Sequence, residues 1–148
     1  MIANPPSHNS YLLVLEDSDE DFDTVLCAAR DAKLPHQIRR AVTGDECIRL
    51  LTELPAGSPE RPLLVILDLN TPQGDGRLAL RTIRNDERFQ TLPIIILSTS
   101  GNPKDLEYCY REGANAYHTK SVNYPDHVQT LRQIFDYWLE GVVLPVAP

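Results

Sequence analysis

Short runs typical of strands, most of them apolar and the one at residues 36–42 more polar, alternate along the chain with longer stretches of helical periodicity. The run at residues 63–67 (LLVIL) is apolar throughout, which is typical of a strand buried on both faces of a sheet. Strands that alternate with amphipathic helices indicate a doubly wound parallel sheet with helices on both faces. We therefore predict an α/β fold of the (βα)5 type, with strands at residues 11–16, 36–42, 63–67, 94–97 and 116–119.

Capping residues mark where several of the predicted helices begin and end. Thr43 stands three residues before Glu46, a capping-box pattern that predicts the start of the second helix. Asn102 followed by Pro103 predicts the start of the fourth helix, and Gly113 predicts its end. The elements fill one domain at residues 11–140, with an N-terminal tail at 1–10 and an apolar, proline-rich tail at 141–148.

Composition excludes several classes of protein. The chain has 148 residues, which suits one domain, and a formal net charge of −7. That charge disfavours nucleic acid as a partner, because phosphate contacts need clustered Lys and Arg. The three cysteines lack metal-ligand spacing, which predicts free thiols and a cytoplasmic location. The apolar runs are too short to span a bilayer, so no membrane contact is expected.

Polar side chains follow four of the predicted strands, at the edge where parallel α/β sheets bind ligands. They are Glu16 and Asp17 at the end of the first strand, Asp68 and Asn70 after the third, Ser98 after the fourth and Lys120 after the fifth. Three carboxylates placed together need a cation, and oxygen ligands suit Mg²⁺. Asp68 could then attack a phosphoryl group, with Lys120 and the Ser98 hydroxyl contacting its oxygens.

Each of these signals also has a simpler interpretation. The acidic residues at 16–23 could form only a solvated helix start that the helix dipole stabilises. Asp68 alone could be a helix cap, and Lys120 alone could be a surface lysine. The joint pattern is more specific than its members, because each group lies at the carboxyl end of a predicted strand, in chain order.

Four segments resemble the receiver domains of two-component response regulators. They are residues 14–18 (VLEDS), 67–76 (LDLNTPQGDG), 96–100 (ILSTS) and 117–120 (YHTK). The resemblance covers residues 11–139 and implies the family's flavodoxin-like receiver fold, with strand order 2-1-3-4-5. It implies a signalling protein and not an enzyme, one that catalyses only its own phosphorylation and dephosphorylation in a phosphorelay.

The resemblance also implies roles for the polar residues at the strand ends. Asp68 would be the phospho-acceptor and a ligand of Mg²⁺, and Lys120 would bind the phosphate. Asp17 would coordinate the metal directly, Glu16 would hold a metal-bound water, and the backbone carbonyl of Asn70 would be a further ligand. A sensor histidine kinase would supply the phosphoryl group.

The same resemblance implies a conformational switch and a partner. Ser98 would be the switch hydroxyl and Tyr117 the aromatic ring that turns inward behind it. The segments 97–100 (LSTS) and 135–139 (FDYWL) resemble the single-domain regulators of cyanobacterial phytochrome kinases, a subgroup associated with homodimers. We expect an apolar interface near the end of the last helix, formed by Phe135, Trp138, Leu139 and Val142.

Ser121 is the main departure from the family pattern. Most receivers have proline after the lysine, and the peptide bond before that proline is cis. A cis bond before another residue costs about 2.5–4 kcal/mol. We nevertheless expect Lys120–Ser121 to be cis, because Lys120 must still reach the site.

Two other functions remain open at this point. A receiver-like scaffold could act without phosphorylation, although the complete set of site residues disfavours it. The chain also resembles aspartate-nucleophile phosphatases around Asp68. Those enzymes use a second aspartate two positions later as an acid, and Asn70 at that position cannot transfer a proton.

Overall fold

The computed structural model describes residues 11–71 and 75–145. Five strands alternate with five α-helices in these ranges, as the apolar runs predict. The strands are β1 (Tyr11–Leu15), β2 (Gln37–Ala41), β3 (Leu64–Leu67), β4 (Ile94–Ser98) and β5 (Ala116–Thr119). The helices are α1 (Asp19–Asp31), α2 (Gly44–Thr52), α3 (Gly76–Asn85), α4 (Pro103–Arg111) and α5 (Tyr124–Phe135). The predicted tail at residues 1–10, and residues 146–148 of the C-terminal tail, lie outside the described residues.

The five strands form one parallel sheet in the order β2-β1-β3-β4-β5. This confirms the predicted (βα)5 fold and strand order. The register sets Leu15 of β1 beside Leu67 of β3, so both strands end at the same level. On the other side of β3, Ser98 of β4 pairs with Thr119 of β5. The residues that follow these strands therefore emerge along one edge of the sheet.

The sheet separates two hydrophobic clusters. Leu13 and Leu15 of β1 belong to the cluster that α2, α3 and α4 cover, whereas Leu12 and Val14 belong to the cluster that α1 and α5 cover. Both faces of β1 are thus buried, which explains why its sequence is apolar without alternation. Each such side chain contributes roughly 1.5–3 kcal/mol on burial, so the strand ends are held by a well-packed core.

The helix caps follow the sequence closely. The Thr43 hydroxyl accepts a hydrogen bond from the Glu46 amide at 3.1 Å, and Asn102 caps α4 with Pro103 in its first turn. The returning bond of the capping box differs from the prediction, because the Glu46 carboxylate accepts from the amide of Val42. After α5, the chain continues in a π-helical segment, Asp136–Gly141. Gly141 is the last residue of this segment.

The edge strand β2 carries two arginines that lie against its neighbours. The Arg39 guanidinium lies 3.9 Å from the centre of the Tyr11 ring, a cation–π geometry. Arg40 donates from Nε to the Glu16 carbonyl at 2.8 Å and from Nη1 to Asp19 at 2.8 Å. These contacts tie the edge of the sheet to β1 and to the start of α1.

Two further features position the helices around the sheet. Gly76, the first residue of α3, has its Cα so close to the end of β3 that a methyl group there would overlap the Asp68 carbonyl oxygen. At the other end of α3, Arg84 donates to the Gly113 and Phe89 carbonyls and to the Asn115 side chain, at 2.7–2.8 Å. No helix in the described ranges is long and apolar enough to cross a membrane.

Candidate phosphoryl-acceptor site

The carboxyl ends of β1, β3 and β5 bring three charged side chains together. Glu16, Asp68 and Lys120 are only 3%, 7% and 7% exposed. Buried charges of this kind are stable only when they are paired and hydrogen-bonded. Ser98, at the end of β4, is fully buried beside them, and Asp17 is half-buried. The structure thus brings together the strand-end groups that the sequence predicts.

Lys120 is the centre of this cluster. Its ammonium lies 2.6 Å from Glu16 Oε1 and 3.0 Å from Asp68 Oδ2. A third carboxylate, Asp21 on α1, completes the arrangement, with Oδ2 at 2.9 Å from Nζ. The three donors of one ammonium are therefore directed at three carboxylates, from β1, β3 and α1. This geometry holds Nζ directly over the candidate acceptor oxygen of Asp68.

The electrostatics follow from burial and from these ion pairs. Burial raises the pKa of the Glu16 carboxyl to about 7, although the bond to Lys120 opposes the shift. Burial alone would lower the pKa of Lys120, but Glu16, Asp68 and Asp21 outweigh it and raise that pKa above its ordinary value. Lys120 therefore keeps its positive charge at neutral pH, next to the candidate acceptor carboxylate.

The cluster also fits a divalent cation. One carboxylate oxygen from each of Glu16, Asp17 and Asp68 can be chosen so that all three lie within 4.8 Å of one another. Oxygen-only donors of this kind suit a hard cation such as Mg²⁺ or Mn²⁺. The Asn70 amide donates to Asp68 Oδ1 at 3.1 Å, which turns the other carboxylate oxygen, Oδ2, toward Lys120.

Ser98 and Tyr117 are linked through the loop that follows β4. The Ser98 hydroxyl accepts from the Ser100 amide at 3.1 Å, and Asn70 Nδ2 lies 3.5 Å from it. The Tyr117 hydroxyl donates to the Ser100 carbonyl at 2.7 Å, and its half-buried ring packs against the core. The Ser100 hydroxyl in turn donates to Asp105 of α4 at 2.5 Å. A displacement of Ser98 would therefore disturb the hydrogen bonds that Ser100 makes with Tyr117 and with Asp105 of α4.

The expectation of a cis peptide at Lys120–Ser121 is wrong. No cis peptide bond occurs in residues 11–71 or 75–145, yet Lys120 Nζ reaches Asp68. The Lys120 amide donates to the Ser98 carbonyl at 2.6 Å, which extends the pairing of β4 and β5 by one residue. The lysine side chain is long enough to reach the site from there, so the trans bond avoids the cost of a non-proline cis bond.

Comparison with known proteins identifies the family. Residues 12–132 match the model of the response regulator receiver domain. The chain belongs to this family. The receiver domain of a response regulator has a histidine kinase as its partner, and membership confirms the resemblance of the four sequence segments to receiver domains.

Individual relatives are similar over nearly the whole length of this receiver. Response regulator Rcp1 of Synechocystis sp. is 33% identical over 147 residues, which cover 98% of this chain and 97% of Rcp1. The phosphorylated cyanobacterial phytochrome response regulator RcpA has a TM-score of 0.86 at 32% identity, covering 94% of this chain and 99% of RcpA. The Mn²⁺-bound form of Rcp1 has a TM-score of 0.84 at 33% identity, covering 91% of this chain and 98% of Rcp1. The resemblance to phytochrome regulators is therefore confirmed.

Sequence reasoning missed the role of Asp21 in this receiver. Asp21 belongs to the acidic run at residues 16–23, and nothing in its residue type separates it from Asp19 or Asp23, which are exposed. Its position depends on the phase of α1, which begins at Asp19, and no residue type in the acidic run marks that phase. It is the member of the run on α1 that reaches Lys120.

A surface cavity of about 540 Å³ adjoins the site between α1 and the β5–α5 loop. Lys120 and Asp21 form the wall that the cavity shares with the ion-pair cluster. Asp23, Tyr124 and His127 line other parts of it. The Asp21–Lys120 ion pair is thus reachable from this side, which agrees with the one-third exposure of the Asp21 side chain.

The predicted interface residues differ in what they offer to a partner. Phe135 is fully buried in the core of its own chain, so its prediction as an interface residue is wrong. The apolar face of α5 packs on the sheet at Phe135, so the Phe135 side chain has no exposed surface to offer a second copy of the chain. Trp138 and Leu139 are half-buried against the same cluster, and Val142 is half-buried beyond them.

Proposed function

We propose that this receiver accepts a phosphoryl group on Asp68 from a sensor histidine kinase. The observation that supports the proposal is the placement of Lys120 Nζ 3.0 Å from Asp68 Oδ2, in a cluster whose carboxylates can also hold a divalent cation. Asp68 is nearly buried but lies at the open edge of the sheet, where a donor can approach.

The chemistry is a transfer between two nucleophiles. An Asp68 carboxylate oxygen forms the new P–O bond, the P–N bond of the phosphohistidine breaks, and its electron pair stays on the imidazole nitrogen. Lys120 neutralises one of the phosphoryl oxygens, and the Ser98 hydroxyl donates to another. A Mg²⁺ ion held by Asp17, Asp68 and the Asn70 carbonyl, and by Glu16 through water, supplies further charge neutralisation when it is bound.

The signal leaves the site through Ser98 and Tyr117. Movement of the Ser98 hydroxyl toward the phosphoryl group breaks its bond to the Ser100 amide. The Tyr117 hydroxyl then loses its acceptor position on Ser100, and the ring is free to turn inward. The α4–β5–α5 face changes shape as a result, so its preference among protein partners changes.

A phytochrome-type kinase in the cytoplasm is the partner that the relatives support. RcpA is described as a cyanobacterial phytochrome response regulator, and its similarity covers 94% of this chain. A similar structure, 31% identical with a TM-score of 0.80, is that of a response regulator in red light signalling of R. palustris. The domain at residues 11–140 would provide the whole receiver, without nucleic acid or membrane contacts.

Phosphorylation by a small donor tests the proposal directly. The protein is incubated with acetyl phosphate, with and without Mg²⁺, and its intact mass is measured. We expect a gain of one phosphoryl group that requires Mg²⁺ and is absent from Asp68→Asn. Asp75→Asn is the matched control, because Asp75 is an exposed aspartate that caps α3 outside the cluster. If the parent gains no mass, the phosphorylation-independent scaffold becomes the better explanation.

We also propose a homodimer formed through Trp138, Leu139, Val142 and the tail at residues 141–148. Tyr137 and Val143 support it, since they add exposed apolar side chains at 59% and 77% to the same segment. Sedimentation velocity of Val143→Glu tests this interface without disturbing the core, and a chain ending at Tyr137 removes it. An unchanged dimer in both proteins would exclude this segment as the interface.

A further inference from the structure

The function of Asp21 is not explained by capping or by solvation of α1. Its side chain is 34% exposed, but Oδ2 lies 2.9 Å from an ammonium that is only 5% exposed. Ion pairs of fully exposed groups contribute little, whereas a pair with a buried partner fixes the position of that partner. Asp21 therefore restrains Lys120 from α1, a different element from the one that carries Asp68.

Asp21 also stands apart from the group that fits a divalent cation. That group comprises Glu16, Asp17 and Asp68. When a cation occupies it, Glu16 and Asp68 share their negative charge with the metal, and their hold on Lys120 weakens. Asp21 is then the carboxylate that pairs with Lys120 without also binding the metal.

We propose that Asp21 is a positioning residue for phosphoryl transfer, which holds Lys120 Nζ beside Asp68 while the other carboxylates bind metal and phosphoryl group. This inference rests on the proposed function, because Lys120 must contact the phosphoryl group for its position to matter. Asp21 touches neither substrate nor metal in this role. It acts through the restraint that it places on the lysine.

The spacing of Asp21 explains how α1 provides this restraint. Ser18 caps the helix and accepts a hydrogen bond from the Asp21 amide at 3.2 Å, so the first turn is fixed relative to β1. The side chain of Asp21, in this first turn, then reaches Lys120 at the end of β5. Asp19 and Asp23, two positions away on either side, lie on other faces, and Asp19 pairs with Arg40 instead.

The expected effect appears in the rate and not in metal affinity. Asp21→Asn keeps the shape of the side chain and removes its charge, so Lys120 is less restrained. We expect phosphorylation by acetyl phosphate at saturating Mg²⁺ to slow by about tenfold, the scale on which small losses of positioning act. The affinity for beryllofluoride, a phosphoryl analogue, should fall in parallel, while the Mg²⁺ dissociation constant changes by less than about twofold, as expected when positioning alone is lost.

The matched control is Asp23→Asn, which removes the same charge from the same helix and the same cavity. Asp23 is exposed, and the carboxylates that pair with Lys120 are those of Glu16, Asp21 and Asp68. Asp21→Ala is a second variant with the same expectation as Asp21→Asn, and Asp21→Glu should recover part of the parent rate. Thermal unfolding of each variant verifies that it is folded before its rate is compared.

The outcomes separate this inference from the proposed function. If the parent is phosphorylated and Asp21→Asn reacts as fast as Asp23→Asn, Asp21 has no positioning role. Faster reaction of Asp21→Asn would also overturn the inference, because Asp21 would then only compete with the phosphoryl group for Lys120. If the parent itself gains no phosphoryl group, the proposed function fails first.

Discussion

The close approach of α3 to the end of β3 gives a sharp test at Gly76. A methyl group there would overlap the Asp68 carbonyl oxygen and would lie 2.9 Å from the Leu69 Cα. Both neighbours are backbone atoms, so relief requires movement of α3 or of the strand end. Overpacking of this kind costs about 3 kcal/mol, and we expect Gly76→Ala to be destabilised by that amount.

The sign of the change is as informative as its size. Alanine in an unobstructed helix position stabilises a protein by roughly 0.5–1 kcal/mol relative to glycine. With a urea m-value of about 2 kcal/mol/M, the expected loss lowers the unfolding midpoint by about 1.5 M. In thermal unfolding the same loss corresponds to about 10 °C for a chain of this length. The shift of Asp68 should also reduce its phosphorylation.

Gly101 provides the matched control for this experiment. It lies in the β4–α4 loop on the same edge of the sheet, and a methyl group there would meet no atom within 4 Å. We expect Gly101→Ala to change the free energy of unfolding by less than about 1 kcal/mol. Equal urea midpoints for Gly76→Ala and Gly101→Ala would refute the argument that backbone contact between α3 and β3 determines the glycine.

Two further predictions concern stability. Burial lowers the pKa of His127; the nearby charge of Lys120 lowers it further, and that of Asp21 opposes the shift. The buried Nε2 of His127 has no hydrogen-bond partner within the described ranges. The unfolded chain therefore binds a proton first as pH falls below about 6.5, and stability falls with it. His127→Leu should flatten this dependence by at most about 1.4 kcal/mol per pH unit, measured by urea unfolding; an unchanged slope contradicts the assignment. Arg84→Met should cost about 3 kcal/mol, since it removes charged hydrogen bonds to three partners. Arg111→Met, which loses only an exposed helical pair, should cost less than about 0.5 kcal/mol, and similar costs for both would be inconsistent with this reasoning.

The sheet could be predicted because its three central strands, β1, β3 and β4, are buried on both faces. A strand such as β3 has no room for polar side chains, so its apolar run and its polar end are both visible in the sequence. β5 is not buried in this way, and its predicted bounds agree with the structure because a helix-ending glycine precedes it and Lys120 follows it. The edge strand β2 was predicted one residue too long at each end, since exposed residues leave its limits less defined.

The candidate site was predictable where chemistry coincides with strand ends. Glu16, Asp68 and Lys120 come from separate strands, and parallel pairing alone brings them together. Asp21 could not be separated from its acidic neighbours in this way, because its position depends on the phase of α1. A helix start with four acids offers several candidates, and only the tertiary packing selects one of them.

Two errors show what sequence leaves undetermined. The trans peptide at Lys120–Ser121 depends on how far a lysine side chain reaches from the end of β5, a distance that residue types do not encode. Phe135 satisfies the pattern of a core residue and that of an interface residue equally well. Only the packing of α5 against the sheet shows that its surface is already used.

The two arginines of β2 also affect how this protein behaves at high concentration. An edge strand presents unpaired amides and carbonyls, which can pair with the edge of another molecule and start aggregation. Arg39 and Arg40 place positive charge along that edge, and their contacts with Tyr11 and Glu16 hold the guanidinium groups there. Two copies that approached edge to edge would bring like charges together. Arg39 and Arg40 thus stabilise the edge of the sheet within one molecule and also disfavour its pairing with the sheet of another molecule. This disfavours aggregation of a chain whose central strands are almost wholly apolar.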